Sequence, residues 1–283
     1  MMMRNNDINN LIYDVFDSLE SNNFAVLDKP NEPMYEEPLI GVAAGDDPYF
    51  NFLKEHIGEF HWTPAEAFEK KYNDVPNPAK LKVISLIFPQ TEETKAEQSK
   101  QRSFPCDNWI ISRGEWEGMM REFGVKVEAA LEKKGIRCVS IDLIEEFTRC
   151  ESIKLGIAST WSHRHAAFVA GMGTFGLSDG FISEKGKATR MTSLIVEADL
   201  DVNDRGDIGH YDWCLYFKSG ICGACIRRCP IRAITEKGHD KDACLEYEDI
   251  SIEKYWPEHI ERGDYIFGCG LCQTKVPCMS KKP

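Results

Sequence analysis

The stretch Cys222-Gly-Ala-Cys225-Ile-Arg-Arg-Cys229-Pro230 decides how the C-terminal part of the chain folds. It is the second half of the pattern C-x2-C-x2-C-x3-C-P, whose thiolates hold iron–sulfur clusters. Eight of the eleven cysteines of the chain lie after residue 205, and two four-thiolate clusters need eight ligands. We therefore predict two [4Fe-4S] clusters in a ferredoxin-like C-terminal module.

The spacing of the cysteines also predicts how they divide between the clusters. In two-cluster patterns of this type the fourth cysteine of the run binds the other cluster, so the chain should cross between clusters at Cys229. The later C-x2-C pair should stay together because it chelates one cluster. Cluster 1 is therefore predicted to use Cys214, Cys222, Cys225 and Cys278. Cluster 2 is predicted to use Cys229, Cys244, Cys269 and Cys272.

The run departs from the pattern at its first position. The expected cysteine is Ser219, and Cys214 lies five residues earlier. A longer loop over residues 215–221 would bring Cys214 into the site. The alternative is a first cluster that lacks one ligand or contains three irons.

Disulfide bonds and structural zinc sites are two other uses of closely spaced cysteines. Disulfides are disfavoured in an intracellular chain, and structural zinc usually pairs two C-x2-C knuckles, whereas the C-x3-C-P continuation favours iron–sulfur. Cys106, Cys138 and Cys150 remain outside the pattern, and buried structural thiols are the simplest interpretation for them.

Composition places the chain among ordinary globular proteins. It has 283 residues, of which 42% are hydrophobic, and it has no apolar run near the ~20 residues of a membrane span. The N-terminus shows no signal-peptide pattern, so a cytoplasmic location is expected. The net charge of −12 disfavours a large nucleic-acid surface, which needs a basic patch.

The periodicity of apolar residues predicts an α/β domain over residues 1–205, followed by the cluster module over residues 206–283, with a boundary at residues 199–209. Strands are predicted at residues 82–88, 138–142 and 190–197. Helices are predicted at residues 7–22, 116–134 and 162–171, and another begins at the Thr63-Pro64-Ala-Glu66 capping box. The polar segment 90–104 is predicted to be an exposed loop.

The segment before the cysteine run resembles a known family. Trp161-Ser-His-Arg164-His-Ala-Ala-Phe-Val-Ala170-Gly171-Met-Gly173-Thr-Phe-Gly176 is similar to the helix and glycine-rich turn of epoxyqueuosine reductases, whose fold the reductive dehalogenases share. The resemblance continues through Cys244-Leu-Glu-Tyr247 and Phe267-Gly-Cys-Gly-Leu-Cys-Gln273. It is specific over residues 155–278 and general before them.

The resemblance implies a nitroreductase-like, corrinoid-binding α/β (α+β) domain with a two-cluster ferredoxin module packed on it. In such proteins the clusters feed electrons to the cobalt of cobalamin. Trp161, Gly171, Gly173, Phe175 and Gly176 are then candidates to contact the cobalamin. Tight packing explains the three glycines as well, and the two aromatic side chains fit a core position equally well. The glycine spacing follows a helix, so a dinucleotide fingerprint is excluded.

One departure from the family bears on the substrate. The aspartate that is the proposed proton donor of epoxyqueuosine reductases falls at Ile157, and the family's Glu-Arg pair falls at His163-Arg164. The acid is lost and the arginine is kept. His163 or His165 is a candidate proton donor in its place, together with Arg164 as catalytic residues. The alternatives for these histidines are cobalt ligation or a hydrogen bond to backbone or carboxylate.

The sequence thus predicts a cobalamin-dependent iron–sulfur oxidoreductase that acts on a small molecule rather than on tRNA, with ferredoxin or flavodoxin as redox donor. A non-catalytic electron-transfer protein, and a corrinoid reductase or carrier that acts on a partner protein, are the alternatives.

Overall fold

A computed structural model describes residues 4–263, 266 and 268–283, with the side chain of Tyr255 left out. Phe267, which stands in one of the motifs quoted above, lies outside the described residues. In the described part of the chain, every helix is too short or too polar to cross a membrane.

Helices and strands alternate along the described residues. The α-helices are α1 (Asn5–Asp17), α2 (Pro48–Ile57), α3 (Pro64–Tyr72), α4 (Glu92–Lys100), α5 (Asp107–Gly114), α6 (Trp116–Glu132), α7 (His163–Val169), α8 (Leu215–Ser219), α9 (Ala224–Arg228), α10 (Lys241–Tyr255) and α11 (Pro257–Arg262). Short 3-10 helices span Ala25–Leu27, Pro78–Lys80, Ile141–Leu143 and Leu271–Gln273. The strands are β1 (Leu39–Ala44), β2 (Leu81–Pro89), β3 (Cys138–Ser140), β4 (Arg149–Ser152), β5 (Gly156–Ser159), β6 (Gly173–Phe175), β7 (Phe181–Ser183), β8 (Thr189–Glu197), β9 (Ile234–Thr235) and β10 (Gly238–His239).

A four-stranded sheet with the order β1-β2-β8-β3 forms the centre of the fold. Its strand pairs are antiparallel, and Ser85 of β2 is opposite Ser193 of β8. Alternate residues of a strand point to opposite sides of the sheet, and on β2 the side chains of both sides are buried. Ile84 and Leu86 enter a core with α1 and α6, and Val83 enters a second core with α2, α3 and α7. Helices therefore lie on both faces of an antiparallel sheet, which is a mixed α/β architecture of the α+β type.

Most predicted elements are confirmed with shifted ends. The capping box of α3 is present, since Thr63 Oγ1 accepts from the backbone N–H of Glu66 and the Glu66 carboxylate accepts from the backbone N–H of Thr63. The predicted strands 82–88 and 190–197 are β2 and β8. The predicted helix 7–22 ends earlier, at Asp17, where the Ser18 hydroxyl donates to the carbonyl of Val15. The predicted strand 138–142 is shorter because a 3-10 turn begins at Ile141.

The prediction of an exposed loop at residues 90–104 is wrong. Thr91 begins helix α4 by accepting a hydrogen bond from the backbone N–H of Thr94. Gln98 of this helix is buried, donates to the carbonyl of Cys269 at 2.8 Å and accepts from the backbone N–H of Cys106 at 2.9 Å. Thr94, Lys95 and Gln98 of this segment are therefore buried, whereas Glu92, Glu93 and Lys100 face water.

The segment after residue 205 packs closely against the first part of the chain. Trp256 and Ile266 are buried in the same core as α1 and α6. The backbone N–H of Lys187 donates to the carbonyl of Cys278 at 2.8 Å. These contacts hold the cysteine-bearing segments against β8, while the division into two domains near residue 205 stays a prediction.

Candidate cluster sites and the adjoining cavity

Two cavities divide the eight C-terminal cysteines into two groups. The first set, Cys214, Cys222, Cys225 and Cys278, lines a small cavity. The second set, Cys229, Cys244, Cys269 and Cys272, lines a cavity of about 440 Å³, called the large cavity below. No three His, Cys, Asp or Glu side chains among the described residues are close enough to hold a single metal ion. The grouping is the one that the spacing predicts; cluster ligation by these thiols stays a prediction.

Helix α9 explains how the chain passes from one set to the other. Gly223 precedes this helix with a φ of 86°, a conformation that favours glycine. Cys225 lies within the helix and lines the small cavity. Cys229 follows its last residue in an extended conformation, because Pro230 disfavours helical geometry in the residue before it. The Cys229 thiol consequently lines the large cavity.

The structure places Cys214, and not Ser219, in the first set. Cys214 is buried and precedes helix α8, which occupies most of the predicted longer loop. Ser219 is exposed, and its hydroxyl donates to the carbonyl of Leu215 at 2.8 Å. The first set thus contains four thiols within the described residues, which favours a four-ligand site over a three-iron one.

Hydrogen bonds hold the second set in place. The Cys229 thiol accepts from the backbone N–H of Ala233 at 3.2 Å, and the backbone N–H of Cys269 donates to Glu248 at 3.1 Å. Arg228 Nε donates to the carbonyls of Leu271 and Thr274 at 3.2 and 3.1 Å, and its Nη1 donates to the carbonyl of Gln101 at 2.6 Å. One guanidinium therefore connects α9, the turn that holds Cys272, and the end of α4.

Burial keeps the thiols protonated until a metal displaces the protons. It raises the pKa of Cys244 to about 12 and that of Cys272 to about 11. Burial also raises the pKa of Cys225 and Cys278, which the ammonium of Lys187 opposes. Cluster assembly on these residues is therefore expected to release protons.

Lys187 lies between the two sets. Its side chain lines both cavities and is only 4% exposed, and its Nζ donates to Ser178 at 2.9 Å. Burial lowers the pKa of its ammonium, but the negative charge that Cys278, Cys272, Cys225 and Cys214 carry when ionised outweighs burial and raises it. A buried positive charge thus faces cysteines of both sets.

Helix α7 presents the predicted catalytic residues in different directions. Ser162 begins it by accepting from the backbone N–H of His165, and its hydroxyl is 2.8 Å from His165 Nδ1. The His165 ring packs against Phe175 at 4.7 Å. His163 Nδ1 is 3.0 Å from the Ser193 hydroxyl, and its Nε2 is 3.8 Å from Asp142. Burial lowers the pKa of both imidazoles, that of His165 well below its ordinary value, so both are neutral at pH 7.

His163 and Arg164 line the large cavity, and so does Trp161. Arg164 Nη1 donates to the carbonyl of Asp179 at 2.5 Å. Trp161 is only 2% exposed and stacks on Phe50 at 5.9 Å, so its ring belongs both to the core and to the cavity wall. Among the described residues that form this wall, His165 is absent.

The predicted cobalamin-contacting glycines lie elsewhere. Gly171 has a φ of 68° and approaches the backbone of Arg205. A Cβ on Gly173 would stand 2.0 Å from the carbonyl oxygen of Ile182. The absence of a side chain at Gly173 therefore allows β6 and β7 to pair closely. Gly176 borders the small cavity beside Cys214, and the Phe175 ring stacks on His210 at 4.2 Å. Close packing accounts for each position, and a cobalamin contact there stays a prediction.

The remaining cysteines lie outside both sets. Cys138 is fully buried in β3, where burial raises the pKa of its thiol. Burial likewise raises the pKa of Cys106 to about 11. Cys150 is half-buried in β4.

Several buried polar atoms around the large cavity lack a hydrogen-bond partner. Among the described residues that line it, five have such an atom: Trp161 Nε1, His163 Nε2, Thr189 Oγ1, Arg190 Nε and His239 Nε2. Unpaired buried polar groups are costly, so a concentration of them at one cavity points to a ligand that accepts hydrogen bonds. Thr189 and Arg190 are not among the site residues predicted from the sequence. The pattern that could have indicated them is a pair of polar residues at the start of an otherwise apolar strand.

Comparisons with known proteins found one family match and one curated relative. Residues 218–278 match the family described as the 4Fe-4S double cluster binding domain. An epoxyqueuosine reductase from Leadbetterella byssophila is 33% identical over 112 residues, which cover 38% of this chain and 34% of that protein. The match thus spans about a third of the length of this curated relative.

Two solved structures are similar to this chain. The catabolic reductive dehalogenase NpRdhA has a TM-score of 0.51 and 15% identity, covering 86% of this chain and 30% of its own. A crystal structure of selenomethionine-labelled epoxyqueuosine reductase has a TM-score of 0.46 and 18% identity, covering 95% of this chain and 66% of its own. The chain therefore has a mixed α/β fold like that of the reductive dehalogenase, and its residues 218–278 match a 4Fe-4S double cluster binding domain.

Proposed function

We propose that this chain passes electrons through two [4Fe-4S] clusters to a cobalamin in the large cavity and reduces a small molecule. The observation that carries the proposal is the division of the eight cysteines, because only the second set opens onto the large cavity. A cluster bound there would adjoin any ligand of the cavity. A cluster on the first set would supply it with electrons.

The residues around the large cavity fit a corrinoid in their chemistry. A corrinoid carries many amide carbonyls and a phosphate, which accept hydrogen bonds. Trp161 Nε1 and Arg190 Nε are donors without partners among the described residues, and both are buried at the cavity. Trp161 also offers an apolar ring beside its donor. When bound, the cofactor supplies a metal that takes up electrons singly.

The chain's own residues would hold the substrate and move protons. His163 is neutral at pH 7 and keeps Nε2 unpaired at the cavity, so this atom can exchange a proton there. Arg164 is placed to hold an acceptor group. Lys241 Nζ donates to the carbonyl of Ile157 at 3.1 Å, which puts a cation where the family has its aspartate. This exchange of an acid for a cation supports a substrate other than epoxyqueuosine in tRNA.

A second candidate is an electron-transfer protein that acts on a partner. Ile221 and Phe217, near the first set, are 82% and 47% exposed, an apolar surface suited to docking a ferredoxin or flavodoxin. The same surface would serve the electron donor of an enzyme, so the two candidates differ in what happens at the large cavity.

Anaerobic purification followed by visible spectroscopy tests the proposal. We expect iron and sulfide contents of about eight each per chain. With a chemical reductant and added cobalamin, the spectrum should show tight binding and one-electron reduction of the cofactor. The Trp161→Ala variant should bind it at least about tenfold more weakly, whereas Trp62→Ala, which removes a buried ring of the same core that does not line the cavity, should not. Clusters without any cobalamin binding would favour the electron-transfer candidate.

A further inference from the structure

The large cavity carries an excess of positive charge in an acidic protein. The net charge of the chain is −12. Among the described residues that line the cavity, however, five are lysine or arginine and two are acids. The cations are Arg113, Arg164, Lys187, Arg190 and Lys241, and the acids are Asp179 and Glu248. An oxidised [4Fe-4S] cluster with its four thiolates would add about two negative charges, so the cations would still exceed the negative charges by about one. This local excess of positive charge favours an anionic ligand.

Three of the five cations have neighbouring groups that stabilise their positive charge. Lys187 faces cysteine thiolates of both sets. Arg113 packs against the backbone at Gly268 and is stabilised by the charge of Glu248. Lys241 donates to the carbonyls of Leu155 and Ile157. Arg164, whose side chain is exposed to solvent, and Arg190, which is half-buried, are the two that remain.

Neither Arg164 nor Arg190 forms an ion pair within the described part of the chain. Arg164 donates to a neutral carbonyl, that of Asp179, while the Asp179 carboxylate lies 3.3 Å from His239. The guanidinium of Arg190 lies 5.6 Å from the Trp116 ring, and its Nε has no partner. Burial and the positive charges of Arg113 and Arg164 lower the pKa of Arg190 to about 9, so it stays charged at neutral pH.

Two further polar atoms complete the arrangement. Thr189 precedes Arg190 and His163 precedes Arg164, and the buried Thr189 Oγ1 and His163 Nε2 have no partner among the described residues. We infer that Arg164 and Arg190, with Thr189 and His163, form a subsite that binds the carboxylate or phosphate of a ligand. Two guanidiniums give charge and directed donors, and the hydroxyl and imidazole can each donate one more hydrogen bond.

This inference rests on the proposed function, because it assigns a chemical class to the molecule that the large cavity accepts. The oxyanion has two possible sources: an acidic small-molecule substrate, or the phosphodiester of the corrinoid itself. Comparing cyanocobalamin with dicyanocobinamide, which lacks the phosphodiester nucleotide, distinguishes them.

Calorimetric titration of the cluster-loaded protein with inorganic phosphate, at constant ionic strength and without an electron donor, tests the subsite. We expect saturable binding that weakens about tenfold or more in Arg190→Gln and in Arg164→Gln. Arg190→Lys should retain part of the affinity, since it keeps the charge and loses the planar fork. Arg121→Gln, on the exposed surface of α6, is the matched control and should bind like wild type.

The outcomes separate clearly. If wild type binds phosphate no more tightly than the two glutamine variants, or if Arg121→Gln loses as much affinity, the subsite does not exist. If Arg190→Gln weakens cyanocobalamin and spares dicyanocobinamide, the subsite holds the corrinoid phosphate. If it spares both and loses phosphate, the subsite holds an acidic substrate. Iron and sulfide contents of each sample show that the clusters are intact, and phosphate binding without cobalamin reduction would contradict the proposed function alone.

Discussion

The two sets of cysteines lie in opposite surroundings. Around the first set the wall is mostly small and apolar, with Leu177, Ile182 and Val276, and Lys187 is its one cation within the described residues. The second set shares its cavity with five cations, of which three are arginines and two are lysines, and with two acids. The first set lies near exposed apolar side chains, whereas the second faces a space large enough for a ligand.

This difference supports the direction of electron transfer that we propose. In the proposed function, the exposed apolar side chains beside the first set would dock a redox donor, and the large cavity beside the second set would hold the acceptor. Lys187, buried between them, faces thiolates of both sets. Substitutions in one set of cysteines, in the lining of one cavity or at Lys187 should therefore affect cluster content, folding stability and reduction potential differently.

Replacing one cysteine of each set tests whether the two sites are independent. Cys278→Ala should remove the first cluster and Cys272→Ala the second, so that iron and sulfide each fall from about eight to about four per chain. Electron paramagnetic resonance of the reduced variants should then show one cluster without coupling to another. Cys150→Ala, outside both sets, is the control. Loss of both clusters, or of neither, in Cys278→Ala contradicts the grouping.

Two glycines, one beside each set, offer a comparison of backbone tolerance. Gly270, between Cys269 and Cys272, has a φ of 60°, and a Cβ there would stand 2.1 Å from the Trp109 ring. Gly270→Ala should therefore lower the free energy of unfolding by at least about 2 kcal/mol and weaken retention of the second cluster. A Cβ in Gly176→Ala would meet the end of Ile182 at 3.3 Å, the carbonyl oxygen of Gly180 at 3.5 Å and Cys214 Sγ at 3.8 Å, so the substitution should cost less than about 1 kcal/mol. Urea unfolding under anaerobic conditions measures both; equal effects would refute the difference in packing.

The grouping of the cysteines was predictable because covalent chemistry restricts ligand spacing. Pro230 forces an extended residue before it, so the crossing at Cys229 follows from local geometry alone. The strands β2 and β8 were predictable for a similar reason, since their apolar residues are continuous in sequence.

What the sequence did not reveal depends on distant segments. The polar helix α4 lacks an apolar stripe, because Gln98 is buried through hydrogen bonds to Cys106 and Cys269, the latter far along the chain. A glycine-rich turn allows a cofactor to approach the backbone closely, but it equally allows close packing of another strand. The sequence alone does not show that the group next to Gly173 is the backbone of Ile182 in the neighbouring hairpin. The charge of the large cavity comes from Arg113, Arg164 and Arg190, which only the folded chain brings together.

The lysine between the sets should tune both clusters. Lys187→Gln removes a buried positive charge, so the reduced, more negative form of each cluster becomes less stable. We expect both reduction potentials to fall by an amount on the order of tens of millivolts. Potentiometric titration followed by electron paramagnetic resonance measures the shift. Lys185→Gln, whose side chain is exposed, should leave both potentials unchanged. A shift confined to one cluster would place the charge with that set alone.

The smallest expected effect concerns the two histidines of α7, of which His163 borders the large cavity and His165 packs behind it. Burial lowers the pKa of both, so the unfolded chain binds their protons more readily than the folded one. Each buried neutral histidine therefore contributes fully to the free energy of unfolding above the ordinary pKa of about 6.5. This contribution is lost as the pH falls below about 6.5, by at most about 1.4 kcal/mol per pH unit for each histidine. His165→Asn should make the loss between pH 7 and 6 shallower in urea unfolding. Saturating phosphate should reduce the contribution of His163, which an anion would help to protonate, and leave that of His165 unchanged. An equal response of the two histidines to phosphate would mean that the anion does not bind on the large-cavity side of α7.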